Sequence, residues 1–130
     1  MIEIIQGPPV AQFVGAKCGA QFAEPYQAIG FGEGGAVLGG CVFNNFNGRN
    51  VDLSVANDIV KWPPAFVRFF EDHIWNTMGV ARVTMVVRPG TERMCLKMGA
   101  KMEGLLRDWY GEGQDGVLFG MLKAEWKLKR

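Results

Sequence analysis

Residues 63–107 read PPAFVRFFEDHIWNTMGVARVTMVVRPGTERMCLKMGAKMEGLLR, and their periodicity decides the fold. Phe66, Phe69, Phe70, Ile74 and Met78 recur at helical spacing with Trp75 flanking, which predicts a helix from Pro63 to about Met78. Pro63 and Pro64 suit its first turn, where a missing N–H has no helical acceptor to lose. Gly79 is placed to end it in the left-handed region. Val83, Met85 and Val87 then alternate as a strand over Arg82–Val87. A second helix is expected over Thr91–Met98, and a further strand begins at Lys101. Helix, strand, helix and strand joined by turns this short imply helices packed on one sheet.

Upstream, Ile2, Ile4 and Ile5 predict a short first strand ended by Gly7-Pro8-Pro9, and Val10 to about Phe22 predicts a helix weakened by Gly15 and Gly19. Three strands follow as a meander: Tyr26 to Phe31, Ala36 to Phe43, and one in which Val51, Leu53 and Val55 alternate with Asp52 and Ser54. Gly-rich and Asn-rich turns separate them. Gly39-Gly40, inside the second of these, marks a bulge or a close backbone approach. Downstream, a hairpin loop is expected at Gly111–Gly116, and a last strand over Val117–Trp126 closes the sheet. The fold class is therefore α/β (α+β): one domain over residues 1–130, a mixed, mostly antiparallel sheet of six to seven strands with helices on both faces.

Composition removes several function classes. The chain has 130 residues, 48% hydrophobic and 21% charged, which is enough for a core without metal or disulfide staples. No apolar run reaches the roughly 20 residues of a membrane span, and the start lacks the basic and apolar regions of a signal peptide. Cys18, Cys41 and Cys95 are odd in number and stand at no metal-ligand spacing, with His73 the single histidine; no metal site and a reducing cytoplasm are expected. Residues 1–60 carry two basic and five acidic side chains and residues 61–130 carry twelve and eight, which sum to +1. That balance argues against a nucleic-acid binder and suits a phosphate-bearing small ligand beside the C-terminal half.

Thr91-Glu92-Arg93-Met94-Cys95-Leu96-Lys97-Met98-Gly99, continued by Ala100-Lys101-Met102-Glu103-Gly104-Leu105-Leu106-Arg107-Asp108, resembles the end of the acetyl-CoA-binding core of the GNAT N-acetyltransferases. The resemblance is to the branch that acetylates protein N-termini, and Val117–Trp126 is similar to that branch's last strand. Gly39–Gly48 looks closer to the small GNAT-like proteins of tailed phages and prophages, which implies a bacterial host cell or a phage-associated setting. The resemblance spans about Tyr26 to Trp126. It implies that the strands around Asn50–Ala56 and Arg82–Val87 splay apart and that acetyl-CoA occupies the cleft. Its pantetheine arm would pair with the backbone of Ser54, Val55 and Ala56. An amine would attack the thioester, a backbone N–H would stabilise the oxyanion, and an acid would protonate the leaving thiolate.

The phosphate loop departs from the family pattern. Members usually carry a glycine-rich loop before the first core helix; here Asn57-Asp58-Ile59-Val60-Lys61-Trp62-Pro63-Pro64-Ala65 has no glycine, and each proline removes one N–H donor. The cofactor-binding candidates are therefore Lys61 and Trp62, the N–H groups of Ala65 and Phe66, and Arg88 and Arg93, set against a plain solvated basic face. The tyrosine many members use as acid falls at Cys95, to be weighed against a buried apolar thiol. Asp52 and Glu103 are the candidate bases, to be weighed against ordinary strand carboxylates. His73 reads as a packed histidine. Two functions follow: an N-acetyltransferase with acetyl-CoA and an amine-bearing acceptor as partners, homodimer formation being left open, or a non-catalytic protein of the same fold acting through protein contacts.

Overall fold

The structure, a computed structural model, describes residues 1–57 and 61–128. The sequence-expected Asp58, Ile59 and Val60 of the phosphate loop lie outside the described residues, as do the last two of the basic tail. Seven strands form one sheet in the order β1-β2-β3-β4-β5-β7-β6. They are β1 (Glu3–Gln6), β2 (Tyr26–Glu33), β3 (Ala36–Asn44), β4 (Asn50–Asn57), β5 (Arg82–Val87), β6 (Lys101–Gly111) and β7 (Gln114–Leu122). β4 and β5 run parallel; the other neighbours are antiparallel. Helix α1 (Pro8–Cys18) covers one face, and α2 (Pro64–Asp72) and α3 (Arg93–Met98) the other.

α1 begins with prolines in its first turn and stops at Gly19, left-handed at φ 69. It ends four residues before the expected Phe22 because a left-handed glycine cannot continue a helix. Val10 and Val14 are fully buried and pack with Ala28, Val42 and Ala56. The helix approaches closely because β2 and β3 present glycine there: a Cβ on Gly40 would lie 2.6 Å from a Val10 methyl, and one on Gly30 would lie 3.1 Å away. Of the two readings of Gly39-Gly40 the close approach holds; the two glycines pair regularly with Phe31 and Gly30, and the β2–β3 register slips beside them, at Leu38.

On the opposite face, Phe66, Val67 and Phe70 of α2 are buried against Phe31, Phe43, Val51, Leu53, Val83, Met85 and Phe119. Burial of each phenylalanine contributes on the order of 2 kcal/mol. The predicted helix to Met78 is continuous, but its last part, His73–Met78, is a π-helical turn capped by left-handed Gly79. His73 packs against Phe43 and Phe69, and burial lowers its pKa. β7 ends at Leu122, short of the expected Trp126; Lys123–Glu125 form a 3-10 turn because the Glu125 carboxylate accepts from the Leu122 N–H.

Candidate active site: the gap between two parallel strands

Among the described residues β4 and β5 share three rungs: Asn50 with Arg82, Val51 with Val83, and Asp52 with Thr84. Beyond them each strand keeps its other neighbour. β4 stays paired to β3 through Asn57, and β5 to β7 through Val87. The stretches 53–57 and 85–87 therefore line a gap whose inner edges carry backbone groups with no rung across it, and such groups require a partner when water is excluded. Ser54 and Val55 are half-buried along this edge; Ala56 is buried under α1.

Alternation puts Val51 and Leu53 into the α2 core and leaves Asp52 on the α1 face, at the last rung before the strands part. Its carboxylate accepts from the Asn45 side-chain amide at 3.0 Å and from that of Asn50 at 3.1 Å. Asn50 Oδ1 in turn accepts from the Thr84 hydroxyl at 2.6 Å, and Thr84 Oγ1 accepts from Arg82 Nε at 3.0 Å. Arg82 then grips Glu103 with two N–H donors, at 3.0 and 2.5 Å, across Gly120, where any Cβ would meet both side chains at 2.5–2.6 Å. The Arg82 hydrogen bonds hold the Glu103 carboxyl below its ordinary range. A carboxylate held this way is a weaker proton acceptor, and Asp52 has the better position for that task.

The Arg82–Glu103 pair carries its own prediction. Because its folded pKa is depressed, the Glu103 contribution is complete above the unfolded value of about 4.3 and is lost as pH falls through the lower folded value. Both side chains are about one-third exposed, so solvent screening limits the effect. Glu103→Gln should cost less than about 1 kcal/mol at pH 7, and urea melts of the two proteins should converge towards low pH. A difference that grows on acidification would refute this account.

On the α3 face, Cys95 is buried with its sulfur 4.0 Å from Met85 Sδ, beside the part of β5 that has left β4. Burial first, and the Glu92 charge second, push its pKa up to about 11. The thiol is thus protonated at neutral pH. Arg93 lies exposed in the first turn of α3. Trp62 is buried against Phe66 and Phe70 just before α2, and its indole N–H has no partner among the described residues. Lys61 and Ala65 are exposed. Pro63 and Pro64 open α2 as expected, so the free first-turn donors begin at Ala65 and Phe66.

The α1 side of the gap brings together residues the sequence did not connect. Cys18, the last residue of α1, points its thiol at the Val55 carbonyl, 3.6 Å away. The Tyr110 hydroxyl donates to the Val86 carbonyl at 3.1 Å. Arg88 lies 4.1 Å over the Tyr110 ring, donates to Gln114 Oε1 at 3.4 Å and passes beside Gly19. Arg88, expected with Arg93 among phosphate contacts, is thus turned to the α1 face. Surface depressions of about 690 Å³ beside Trp109 and 380 Å³ beside Trp75 lie elsewhere; no residue of the gap lines them.

No protein-family model matches the chain, and no curated protein sequence does. Solved structures do. A protein described as a probable acetyltransferase matches over 96% of this chain and 94% of its own, at 17% identity and a TM-score of 0.67. Mutant forms of the spermidine/spermine N-acetyltransferase SpeG from Vibrio cholerae match over 95% and 96%, at 9% identity and a TM-score of 0.70. A dodecameric structure of the same Vibrio enzyme matches at 0.69 over 95% and 94%, with 9% identity. A further match, described as a putative acetyltransferase from T. thermophilus, is longer: 80% of this chain covers 62% of it, at 22% identity and a TM-score of 0.62. At these identities the likeness establishes the fold, which is that of the GNAT acetyltransferases.

Proposed function

We propose that the chain is an acetyl-CoA-dependent N-acetyltransferase acting on an amine. The observation that carries this reading is the three-rung limit of the β4–β5 pairing, which leaves two backbone edges facing one another across a gap. An extended amide-bearing arm suits the β4 edge at Ser54, Val55 and Ala56. The buried Trp62 indole N–H, the free amides of Ala65 and Phe66, and the cations Lys61 and Arg93 fit a phosphate-bearing cofactor on the α2 and α3 face. Trp62 thereby offers a donor where the prolines remove two.

Acetyl-CoA supplies the activated acyl carbon, at which a C–N bond to the amine forms as the C–S bond breaks, with one proton released overall. The chain's residues manage the protons. Asp52, fixed by two side-chain amides at the apex of the gap, accepts the proton of the incoming ammonium, directly or through water. Burial raises the Cys95 pKa to about 11, so it is too weak an acid to give its proton up to a leaving thiolate. Beside Met85 it would instead donate a hydrogen bond to that sulfur, which takes the second proton lost from the amine nitrogen. A backbone N–H on the β4 edge would stabilise the developing oxyanion. Cys18, Cys41 and Cys95 are all free thiols, which fits a reducing cytoplasm.

The test is release of CoA thiol from acetyl-CoA in the presence of a panel of amines, for the native chain and for Cys95→Ala. Transfer by the native chain and a fall of about tenfold to a hundredfold in kcat for the variant, with unchanged acetyl-CoA affinity, are expected. Equal kcat would remove Cys95 from the mechanism, and no transfer to any amine would favour the second reading. That reading, a non-catalytic protein of this fold, draws on the two prolines where phosphate donors are usual.

A further inference from the structure

The cluster on the α1 side of the gap has no part in the proton steps, and its central group is a cation. Arg88 is held from three directions: its guanidinium stacks 4.1 Å over the Tyr110 ring, one nitrogen donates to Gln114 Oε1 at 3.4 Å, and another would lie 3.2 Å from a Cβ on Gly19. Gly19 caps the C-terminal end of α1, whose partial negative charge favours a cation there. Among the described residues no carboxylate pairs with Arg88. The neighbours it does have are tied to the two walls of the gap. Tyr110 bonds the Val86 carbonyl on β5, and Cys18, close enough to feel the Arg88 charge, bonds the Val55 carbonyl on β4. The α2 and α3 face, where Trp62 and Arg93 lie, is on the other side of the sheet.

A guanidinium so fixed has unused in-plane N–H donors, the geometry that receives a carboxylate through two parallel hydrogen bonds. Resting on the acetyl-transfer reading, we propose that the acceptor is a small molecule carrying both an amine and a carboxylate, and that Arg88 receives the carboxylate on the α1 face. Asp52 sits on that same face opposite Thr84, four residues or roughly 13 Å along the strand from Arg88. The acceptor is therefore one whose amine stands several bonds from its carboxylate, as the side-chain amine of lysine does. A polyamine, the substrate in the name of the Vibrio relative, would meet Arg88 as a like charge.

Matched pairs of amino acid and decarboxylated amine test this, each with an amine remote from the carboxylate: lysine and cadaverine, ornithine and putrescine, with spermidine as a further amine. Transfer from acetyl-CoA is measured for each. Binding of the same compounds to CoA-saturated protein is measured by calorimetry. The carboxylated member of at least one pair should have a kcat/KM higher by about tenfold or more. Arg88→Gln should collapse that ratio towards one by raising its KM, while acetyl-CoA affinity stays within about twofold. Arg88→Lys, which keeps the charge but loses the fork, should restore the preference only in part. Decarboxylated amines or spermidine accepted as well or better would overturn the proposal. So would failure of every carboxylated amine to bind, or an Arg88→Gln protein that loses acetyl-CoA affinity and keeps its discrimination. Loss of acetyl-CoA binding by the native chain would instead bring down the transfer reading beneath it.

Discussion

Asp52→Asn should lower kcat for acetyl transfer by about a hundredfold or more and leave the affinity for acetyl-CoA unchanged. The substitution keeps the shape of the side chain and removes its capacity to take a proton at neutral pH. Asp52 occupies the last shared rung of β4 and β5, on the α1 face, so its loss touches neither the gap edge at Ser54–Ala56 nor the Trp62 region. A secondary cost is expected. The carboxylate accepts from two amides, and an asparagine would turn a donor towards one of them unless Asn45 or Asn50 flips. That mismatch is worth about 1 kcal/mol, visible in a urea melt and too small to unfold a chain of this size. Steady-state kinetics with saturating acetyl-CoA, beside calorimetry of cofactor binding, separates the two effects. An Asp52→Asn protein with native kcat would show that ordered water or another group is the base.

The largest stability loss is expected at Gly99. This residue ends α3 at φ 109, a conformation that side chains with a Cβ rarely adopt, and a Cβ there would overlap the Glu125 carbonyl oxygen. The oxygen belongs to the backbone of the 3-10 turn, so it cannot swing aside as a side chain could. The same turn is fastened by the Lys127 N–H to the Met98 carbonyl at 2.8 Å and by the Lys101–Glu125 ion pair at 2.8 Å. Beyond it, Trp126 stacks on Phe70 and meets Trp75 edge-on. Gly99→Ala therefore combines backbone strain with displacement of the C-terminal segment, a cost of about 3 kcal/mol, or a fall of roughly 10 °C in Tm. Because α3 carries Cys95, the variant should also transfer acetyl more slowly at temperatures where it remains folded. Chemical denaturation measures the first effect. A loss below about 1 kcal/mol would mean that the turn yields easily and that α3 is not pinned by it.

The element order is readable because each segment announces its own period. Phe66, Phe70 and Ile74 can only form a helix face, and Val83, Met85 and Val87 only a strand. Ends of elements are harder. Gly15 looks like a weakness in α1, whereas a Cβ there would lie 2.6 Å from the Ala20 carbonyl oxygen that folds back over the helix end. The strand expected to run to Trp126 stops at Leu122 because a single side-chain bond from Glu125 turns the chain. The candidate site divides in the same way. Asp52 and Cys95 are legible as chemistry-bearing residues on a strand and a helix that the family resemblance places beside a cleft. Cys18, Tyr110 and Arg88 are not legible as a group. They come from α1, β6 and the end of β5, and only the parting of β4 from β5 brings them to one place. Nothing in the spacing of those three residues signals the meeting.

Titration of the native chain with acetyl-CoA and with CoA in a calorimeter, repeated on Trp62→Phe, tests the central claim most directly. If the gap beside Ser54–Ala56 admits the cofactor, both ligands should bind at micromolar concentrations with a single site per chain, and removing the Trp62 N–H should weaken both by about tenfold. No heat and no thermal stabilisation at millimolar acetyl-CoA would contradict it.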